Sequence, residues 1–450
     1  MNDEPTRDPL SAHARDVIAR DKRYVWHPYT QHGTEAEPTV IARAKGASLF
    51  DTEGREILDL ISSWWTCTHG HSHPTINAAL ARQAEEMEHV MFAGFTHAPA
   101  VNLAERLAGL LPGDLNRVFF SDDGSTSVEV AIKIAYQSWA NRGEPRRMLL
   151  AFDGGYHGDT LGAMSVGRGS QMFGAFKGLM CKVCVLPYPA TFDGDDAADE
   201  REAGALSALE ALLADRRQSI AALIIEPMMQ GAAGIRFCRP SFLKRLVETA
   251  QHAGVIVIFD EVATGFGRTG TMFAMEQAGV VPDLVCLSKG LTAGYMPLAA
   301  TVARDRLFDM FLGHSFDRAL PHGHSFTANP LSCAVALAAL GLYEEEQTMA
   351  RIAHIHARHR AVMSALASRP DVTKLRVLGS VLAFEVAAGG QYQSEESRKL
   401  RAWYLAHGFN IRPMGSTVYL MPPYCISDEE LTRAYAGTVE GLDRLASGAL

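Results

Sequence analysis

Two charged residues follow short apolar runs at positions where they could do chemistry. Asp260 ends the run VIVIFD, and Lys289 comes directly after DLVCLS. Ligands of α/β proteins bind at the carboxyl ends of strands, where a lysine beside apolar walls can lose its proton and attack a carbonyl group. Asp260 could also be a plain helix N-cap, and Lys289 could simply reach the surface. Because their separation fits one strand–helix–strand unit, both would lie at one sheet edge, which favours the chemical interpretation.

Two further strand-end loops could hold an anion and a flat ring. Gly124 and Ser125 lie in SDDGSTSVEVAIKIA, where a turn opens a helix. The first amide groups and the positive dipole end of such a helix attract anions, although a plain N-cap at Ser125 or Thr126 explains the letters equally well. The loop DGGYHGDT contributes Tyr156, whose ring could stack on a heteroaromatic one. With the lysine and the acid, these loops describe a site for pyridoxal phosphate, which needs a Schiff-base lysine, an acid and a phosphate cradle.

Three other motifs are weaker candidates for functional sites. The letters GFGRTG at 265–270 formally match a dinucleotide fingerprint. Other residues separate the apolar strand from these glycines, and no helix clearly begins after them. We therefore interpret the glycines as shaping a loop, and we exclude a dinucleotide oxidoreductase. The histidine-rich stretches HGHSHP and PHGHSF lack accompanying ligands, so no metal is expected. Cys181 and Cys184 lack a second pair, and their spacing is interpreted as chance.

Composition restricts the class of protein. The 450 residues are 47% hydrophobic and 21% charged, which is ordinary globular usage. A net charge of −9 argues against a nucleic-acid binder, whose footprint is a basic excess. Seven scattered cysteines indicate free thiols in a reducing compartment, so we expect a cytoplasmic protein. No apolar run approaches the roughly 18 residues of a spanning helix, and the N-terminal segment lacks the apolar core of a secretory signal.

Periodicity predicts the elements that would position these residues. From about residue 117, short apolar runs alternate with helical segments, which is typical of a mostly parallel sheet with helices on both faces. Alternation over 39–51 predicts a hairpin or meander. Helices predicted at about 330–347 and 350–366 lead into a small α+β unit of antiparallel strands with a helix between them. The polar segment 192–204 is expected to be an exposed loop.

The order of the motifs resembles the class III aminotransferases of pyridoxal phosphate fold type I. In chain order the motifs are SDDGSTSVEVAIKIA, GGYHGDT, IIEP, DEVATGFGRTG, LSKG and GHSFTANP, and the resemblance covers about residues 24–440. It implies an α/β fold with a large domain, whose mostly parallel sheet is sandwiched by helices, and a smaller α+β domain from both termini. The expected divisions are an N-terminal segment at 1–75 that contributes to the small domain and substrate channel, a large cofactor-binding domain at 76–345 and a C-terminal small domain at 346–450.

The resemblance also assigns roles to single residues. Those implied in catalysis are Lys289, which would form the Schiff base and shuttle the proton, Asp260, which would keep the pyridine nitrogen protonated, and Tyr29. Those implied in binding the cofactor are Gly124, Ser125, Tyr156, Asp260, Lys289, His324 and Ser325. Those implied in binding substrates are Tyr29, Trp64, Tyr156, Asp159, Lys289, Gly323 and Arg412, with Glu226 in a supporting position. Because Ser325 would reach the phosphate of the neighbouring subunit, a homodimer with shared active sites is expected.

Further segments narrow the expected activity within the family. WHPYTQ, SSWWTCTHGHSHP, HVMFAGFTHAPA and IRPMGSTVYLMPPY resemble the branch that converts 8-amino-7-oxononanoate to 7,8-diaminononanoate in biotin synthesis. Arg412 would bind the carboxylate of that keto acid, a task suited to a guanidinium. The amino donor stays open between S-adenosylmethionine and lysine, because His324-Ser325 stands where users of S-adenosylmethionine often carry Pro-Thr. The alternatives are a general ω-amino acid or amine:pyruvate transaminase, and a catalytically silent binding module, which the intact lysine and acid disfavour.

Overall fold

The computed structural model describes residues 10–167, 171–387 and 394–450. Its α-helices are, in chain order, α1 (Ala12–Tyr24), α2 (Ser62–Trp65), α3 (Pro74–Glu86), α4 (Ala98–Leu110), α5 (Gly124–Asn141), α6 (Leu161–Val166), α7 (Ala198–Arg216), α8 (Pro240–His252), α9 (Met275–Ala278), α10 (Asp305–Phe308), α11 (Pro330–Glu345), α12 (Thr348–Ala367), α13 (Glu395–Ala406) and α14 (Asp428–Ala446). Its strands are β1 (Ile41–Lys45), β2 (Ser48–Asp51), β3 (Glu56–Leu58), β4 (Leu115–Ser121), β5 (Met148–Phe152), β6 (Val183–Leu186), β7 (Ile220–Ile225), β8 (Met229–Gln230), β9 (Arg236–Phe237), β10 (Ile256–Asp260), β11 (Leu284–Leu287), β12 (Ala299–Arg304), β13 (Val372–Leu378), β14 (Val381–Val386) and β15 (Thr417–Leu420).

A seven-stranded sheet forms the centre of the molecule, in the order β4-β12-β11-β10-β7-β5-β6. Its neighbouring pairs from β11 to β6 are parallel, whereas β12 runs antiparallel to both β11 and β4. This is the mostly parallel sheet that the alternation of apolar runs and helices predicted, so that prediction is confirmed. Crossover connections place the carboxyl ends of its parallel strands at a single edge.

Both faces of the sheet are buried at its central strands β7, β10 and β11, which explains why these strands are almost entirely apolar. In β10, Ile256 and Ile258 pack in the cluster that contains α5, whereas Val257 and Phe259 pack in the cluster that contains α8. Alternate side chains of a strand point to opposite faces, so a strand covered on both sides needs no polar positions. Asp260 is the exception in this strand, a charged residue that is only 4% exposed.

Two smaller sheets flank the central one. Strands β1, β2 and β3 form an antiparallel meander, and β13, β14 and β15 form a second antiparallel sheet, as the alternating segments predicted. The N-terminal and C-terminal parts of the chain meet at Leu58. Leu58 N donates to Gly408 O at 2.9 Å, and Asn410 N donates to Leu58 O at 2.8 Å. The division at residues 75 and 345 stays a prediction.

One element differs from its prediction. The segment 192–204 was expected to be a loop, but α7 begins at Ala198 and continues through 204. Asp199 and Glu200 lie in its first turn, where negative charge favours the helix dipole, and Glu202 binds Arg239 Nε at 2.6 Å. The acidic composition that suggested a loop is thus the amino end of a helix. No helix in the described part of the chain is long and apolar enough to cross a membrane.

Candidate active site

A cavity of about 430 Å³ opens at the carboxyl edge of the central sheet. Strand ends and the loops that follow them supply its wall, because parallel strands deliver their carboxyl ends to one edge. The residues that line it include Trp65, Thr66, Asp122, Asp123, Gly124, Ser125, Tyr156, His157, Gly158, Glu226, Asp260, Ser288, Lys289, Gly294 and Tyr295. Of the residues predicted from sequence, the structure therefore brings together Gly124, Ser125, Tyr156, Glu226, Asp260 and Lys289.

Asp260 is held in the cavity by two hydrogen bonds. Its Oδ2 lies 2.7 Å from His157 Nδ1, and its Oδ1 accepts from Val262 N at 3.0 Å. Burial on its own would lower the pKa of His157, but the hydrogen bond and the charge of Asp260 raise that pKa above its ordinary value. The pair is therefore best described as a carboxylate bonded to an imidazolium. A buried acid at a strand end is thus matched with a cationic partner, as burial of a charged group requires.

Lys289 follows β11 in a conformation that a lysine rarely adopts. Its φ is 44°, in the left-handed region, and it opens a short 3-10 turn. Its Nζ lies 4.6 Å from the centroid of the Trp65 ring. Burial lowers the pKa of the Lys289 ammonium, and the negative charges of Asp260 and Glu226 oppose that effect. A lysine with a lowered pKa is more readily a neutral amine, which is what attack on a carbonyl group requires.

Glu226 follows β7 and is 3% exposed. Its two oxygens accept from Tyr156 N at 3.0 Å and from Gly231 N at 2.9 Å. Burial raises the pKa of Glu226 to about 7. The negative charge of Asp260 adds to this rise, and the positive charge of His157 opposes it. The side chain thus orients the loop that carries Tyr156, which agrees with the supporting position expected for it.

The predicted anion cradle lies at the amino end of α5. Asp123 is the N-cap, because its Oδ1 accepts from Thr126 N at 3.0 Å and Thr126 Oγ1 accepts from Asp123 N at 3.1 Å. The alternative interpretation, an N-cap at Ser125 or Thr126, is therefore wrong by two or three positions, since the acid outcompetes both hydroxyls. As a result Gly124 and Ser125 fall in the first turn, where amide N–H groups have no intrahelical acceptor. The Ser125 hydroxyl accepts from Asp159 N at 3.1 Å.

A polar aromatic network adjoins the cavity. Tyr29 Oη donates to Asp159 Oδ1 at 2.6 Å and lies 3.3 Å from Tyr156 Oη. Burial, with the hydrogen bond to Asp159, raises the pKa of Tyr29 far above its ordinary value, so this phenol stays protonated. Tyr156 stacks on Phe173 with ring centroids 6.1 Å apart. The network joins the N-terminal segment to the strand-end loop at 153–160.

Trp64 and Arg412 extend this network outward. The Trp64 ring lies edge-on to Tyr29 at 5.8 Å between centroids, and Arg412 Cζ lies 5.5 Å from the Trp64 centroid. Trp64 is 42% exposed. A continuous set of contacts therefore runs from the cavity to the guanidinium, through Tyr156, Tyr29 and Trp64.

The segment 321–327 lies outside this constellation. Gly323 and Ser325 are exposed and do not line the cavity of their own chain. His324 connects this segment to the cavity, since its Nδ1 lies 2.7 Å from Oδ2 of Asp122, a residue of the cavity wall. His324 Nε2 also lies 3.0 Å from His322 Nε2. The predicted role of Ser325 at a neighbouring subunit stays a prediction.

The glycine-rich loop at 265–270 encloses a buried arginine. Arg268 is 1% exposed, and it donates from Nη1 to Pro422 O at 2.9 Å and from Nη2 to Trp65 O at 3.3 Å. Gly267 and Gly270 have φ values of 90° and 103°, which favour glycine. Arg268 in this loop thus links Pro422 of the C-terminal segment to Trp65, the residue that packs on Lys289.

The donor set of the cavity fits pyridoxal phosphate. The lysine, the acid and the free first-turn amides are the groups that this cofactor requires. The cradle is also shaped for close backbone approach: a Cβ at Gly158 would lie 2.1 Å from Ser125 Oγ, and one at Gly124 would lie 2.8 Å from Val262 Cγ1. In contrast, no group of three histidine, cysteine or acidic side chains in the described ranges could hold a metal ion.

Sequence reasoning missed two members of the site. The loop DGGYHGDT was predicted to contribute Tyr156 and Asp159, but its His157 is the direct partner of Asp260. Trp65, rather than the neighbouring Trp64, packs on the lysine. A buried acid at a strand end needs a cationic partner, so the histidine in the adjacent strand-end loop was the available signal. No signal distinguishes the two tryptophans, because the turn that carries them is irregular.

The comparisons with known proteins agree with this geometry. Residues 29–440 match the family described as aminotransferase class-III. An adenosylmethionine-8-amino-7-oxononanoate aminotransferase from Synechococcus elongatus is 46% identical over 423 residues, covering 94% of this chain and 99% of that protein. The crystal structure of the enzyme of that name from Methanocaldococcus jannaschii aligns with a TM-score of 0.87 at 32% identity, covering 96% of this chain and 99% of that one. A PLP-bound amine transaminase from an uncultivated Pseudomonas species aligns with a TM-score of 0.85 at 30% identity, covering 94% and 99%.

Proposed function

The chain belongs to the class-III aminotransferases, and from this we propose that it transfers an amino group to 8-amino-7-oxononanoate, forming 7,8-diaminononanoate for biotin synthesis. The name of the relative from Synechococcus elongatus supports this substrate. The single structural observation that carries the proposal is the guanidinium of Arg412, joined to the cavity by aromatic contacts. A long keto acid has a distal carboxylate that such a group can bind.

The residues that would hold pyridoxal phosphate are those of the cavity wall. The first-turn amides of Gly124 and Ser125 would bind its phosphate, and Tyr156 would pack against its ring. When bound, the cofactor supplies a carbonyl group that condenses with amines and a conjugated ring that accepts electrons. Lys289 would hold that carbonyl carbon and, once displaced by the substrate amine, would move the proton between the substrate carbon and the cofactor.

Asp260 would hold a proton at the ring nitrogen. A carboxylate placed there favours the protonated ring, which stabilises negative charge developing on the substrate. His157 bonds to the same side chain, so it fixes the orientation of the Asp260 carboxyl group. Tyr29 would act from the substrate side, where its hydroxyl is oriented by Asp159.

The distal end of the substrate would meet Trp64 and Arg412. The face of an indole attracts a guanidinium, and the contact leaves the five N–H donors of the arginine for a carboxylate. The alternative function is a general ω-amine:pyruvate transaminase, which the likeness to the amine transaminase favours. A small keto acid would not need a distant guanidinium, so the two proposals differ in what Arg412 does.

Assembly and location complete the proposal. We propose a homodimer in which Ser325 reaches the phosphate site of the partner, and its exposure, together with the 60% exposed Phe326 beside it, supports a surface that meets another chain. Cys67, Cys238, Cys286 and Cys333 are buried free thiols, which supports a reducing compartment and hence the cytoplasm.

An assay of the purified holoenzyme tests the proposal. 8-Amino-7-oxononanoate is supplied as acceptor, with S-adenosylmethionine or lysine as donor, and 7,8-diaminononanoate is detected by mass spectrometry. Product with at least one of these donors is expected, and the donor that works resolves the question raised by His324-Ser325. Rapid turnover of ω-amines with pyruvate, with no diamino product, would replace the proposal with its alternative.

A further inference from the structure

Asp59 is a fully buried carboxylate that the mechanism above does not use. It follows β3 and has no exposed surface. Its Oδ2 accepts from Ser63 Oγ at 2.7 Å and from His71 Nε2 at 2.9 Å, and its Oδ1 accepts from Asn410 Nδ2 at 2.9 Å. A buried charge is tolerated when it is paired and hydrogen-bonded in this way. One side chain thus fastens three separate stretches of the chain.

The partner that carries the balancing charge is His71. Burial would lower the pKa of His71, but the hydrogen bond to Asp59 raises it to about 10. The imidazolium therefore stays bonded to the carboxylate across the physiological range. The backbone of His71 is itself fixed, because its N and O both bond to Gly46. The charge pair is consequently a rigid anchor for the other two bonds.

The other two partners lie beside the residues proposed to bind the substrate carboxylate. Ser63 directly precedes Trp64, and Asn410 lies two positions before Arg412. Within the described ranges, the Arg412 side chain makes no hydrogen bond or ion pair, and its guanidinium lies beside the Trp64 ring. The separation of these two side chains therefore depends on how well their backbones are held.

The backbone at Trp64 needs such support because it is strained. The φ values of Ser62, Ser63, Trp64 and Trp65 are 48°, 44°, 70° and 74°, so the whole of α2 is a left-handed turn. L-residues avoid this region, and consecutive left-handed residues persist only where the surroundings hold them. Ser62 Oγ donates to Met421 O at 2.7 Å, and Trp65 Nε1 donates to Tyr419 Oη at 3.1 Å.

Those two bonds hold the ends of the turn, and the bond from Ser63 to Asp59 holds its middle. We propose that Asp59 is a positioning residue for acceptor specificity, which keeps Trp64 and Arg412 at the spacing that binds a distal carboxylate. Asp59 would act through Ser63 on one side and Asn410 on the other, without touching the substrate. This inference rests on the proposed function, since it concerns the same carboxylate-binding pair.

The test removes each bond separately. Ser63→Ala and Asn410→Ala each delete one bond to Asp59 and leave the charge pair in place, whereas Asp59→Asn perturbs both together. The matched control is Thr438→Ala, which deletes a buried hydroxyl bonded to Ala434 O at 2.7 Å in α14. Each variant is measured in the half-reaction with the amino donor and in the half-reaction with 8-amino-7-oxononanoate or its methyl ester.

We expect KM for the acid to rise about tenfold in Ser63→Ala and Asn410→Ala, because small displacements of a positioning group are costly. KM for the ester and the donor half-reaction should stay within about twofold, so discrimination between acid and ester should fall. Thr438→Ala should keep that discrimination. If the two tether variants lose thermal stability but discriminate as well as wild type does, Asp59 is only structural and the inference is overturned.

Binding of nonanoate to the holoenzyme, measured by calorimetry, separates this inference from the proposed function. Nonanoate carries the carboxylate and the chain but no reacting carbonyl group, so it needs no turnover. Weaker binding to Asn410→Ala than to wild type is expected even if another keto acid proves to be the acceptor. Equal binding to wild type, Asn410→Ala and Ser63→Ala would contradict the positioning role, whatever the substrate.

Discussion

The imidazole of His157 and the carboxylate of Asp260 lie 2.7 Å apart, and both side chains are buried at the carboxyl edge of the central sheet. Asp260 arrives on β10, whereas His157 arrives on the loop that follows β5. Because β7 lies between these strands, the contact spans two strand spacings along the sheet edge. The acid that would hold the ring nitrogen is therefore oriented from outside its own strand.

Asp260→Asn tests the electronic role of this acid. The amide keeps the shape but removes the charge that favours a protonated ring, so we expect kcat to fall by about 10² or more. The measurement is steady-state turnover at saturating cofactor, with the surface variant Asp305→Asn as control. Normal kcat with only weaker cofactor binding would show that Asp260 is an anchor and not an electronic partner.

His359→Gln tests how a buried histidine shapes the pH dependence of stability. His359 has no exposed surface, and burial lowers its pKa from 6.5 to about 4. Between these values only the unfolded state binds the proton, so the histidine makes unfolding easier as the pH falls. The glutamine removes that effect.

The free energy of unfolding, measured in urea at several pH values, should therefore fall less between pH 8 and pH 5 in His359→Gln than in wild type, by on the order of 2 kcal/mol. His69, whose pKa is also lowered to about 4, keeps part of the slope in both proteins. The exposed His314→Gln serves as control. An unchanged slope in His359→Gln would mean that the buried imidazole binds its proton at the same pH in the folded state as in the unfolded state.

Residues at strand ends could be predicted because sheet topology collects them. Asp260, Lys289 and Glu226 each follow an apolar run, and the spacing of the runs is enough to place them at one edge. The N-cap of α5 could not be chosen, because Asp123, Ser125 and Thr126 are all good caps and only the geometry decides between them.

The irregular turn at Ser62–Trp65 could not be predicted at all. Nothing in the letters SSWW indicates four residues with positive φ, since the turn is held by distant partners at Met421 and Tyr419. The same reasoning applies to Asp59, whose partners lie as far away as Asn410. Local propensity contains no information on contacts of this range.

Arg412→Ala tests which part of the substrate the outer end of the site binds. Removing a guanidinium that pairs with a carboxylate should cost about 2 kcal/mol, which is a rise of about 30-fold in KM for 8-amino-7-oxononanoate. KM in the half-reaction with the amino donor should change much less if the guanidinium does not bind that donor. Arg398→Ala, exposed on α13, is the control. Equal losses in both half-reactions, or none, would favour the general ω-transaminase.

Mixed dimers test whether the active sites are shared between subunits. A Lys289→Ala subunit lacks the reactive amine, and a Ser325→Ala subunit lacks the hydroxyl proposed to reach its partner. Each homodimer should have little activity, but a hybrid should contain one site with both groups intact. We expect activity to return when the two variants are mixed and subunit exchange is verified by native mass spectrometry. No recovery despite exchange would argue that each site is complete within one chain.

Reduction of the holoenzyme with borohydride, followed by peptide mass spectrometry, tests the central claim most directly. The account predicts that the cofactor becomes fixed to the peptide that contains Lys289, and that Lys289→Ala takes up the cofactor without becoming labelled. Lys244→Ala, on the surface of α8, should label as wild type does. Label on a different lysine, or an active wild-type enzyme that takes up no label, would contradict the assignment of this cavity as the reactive centre.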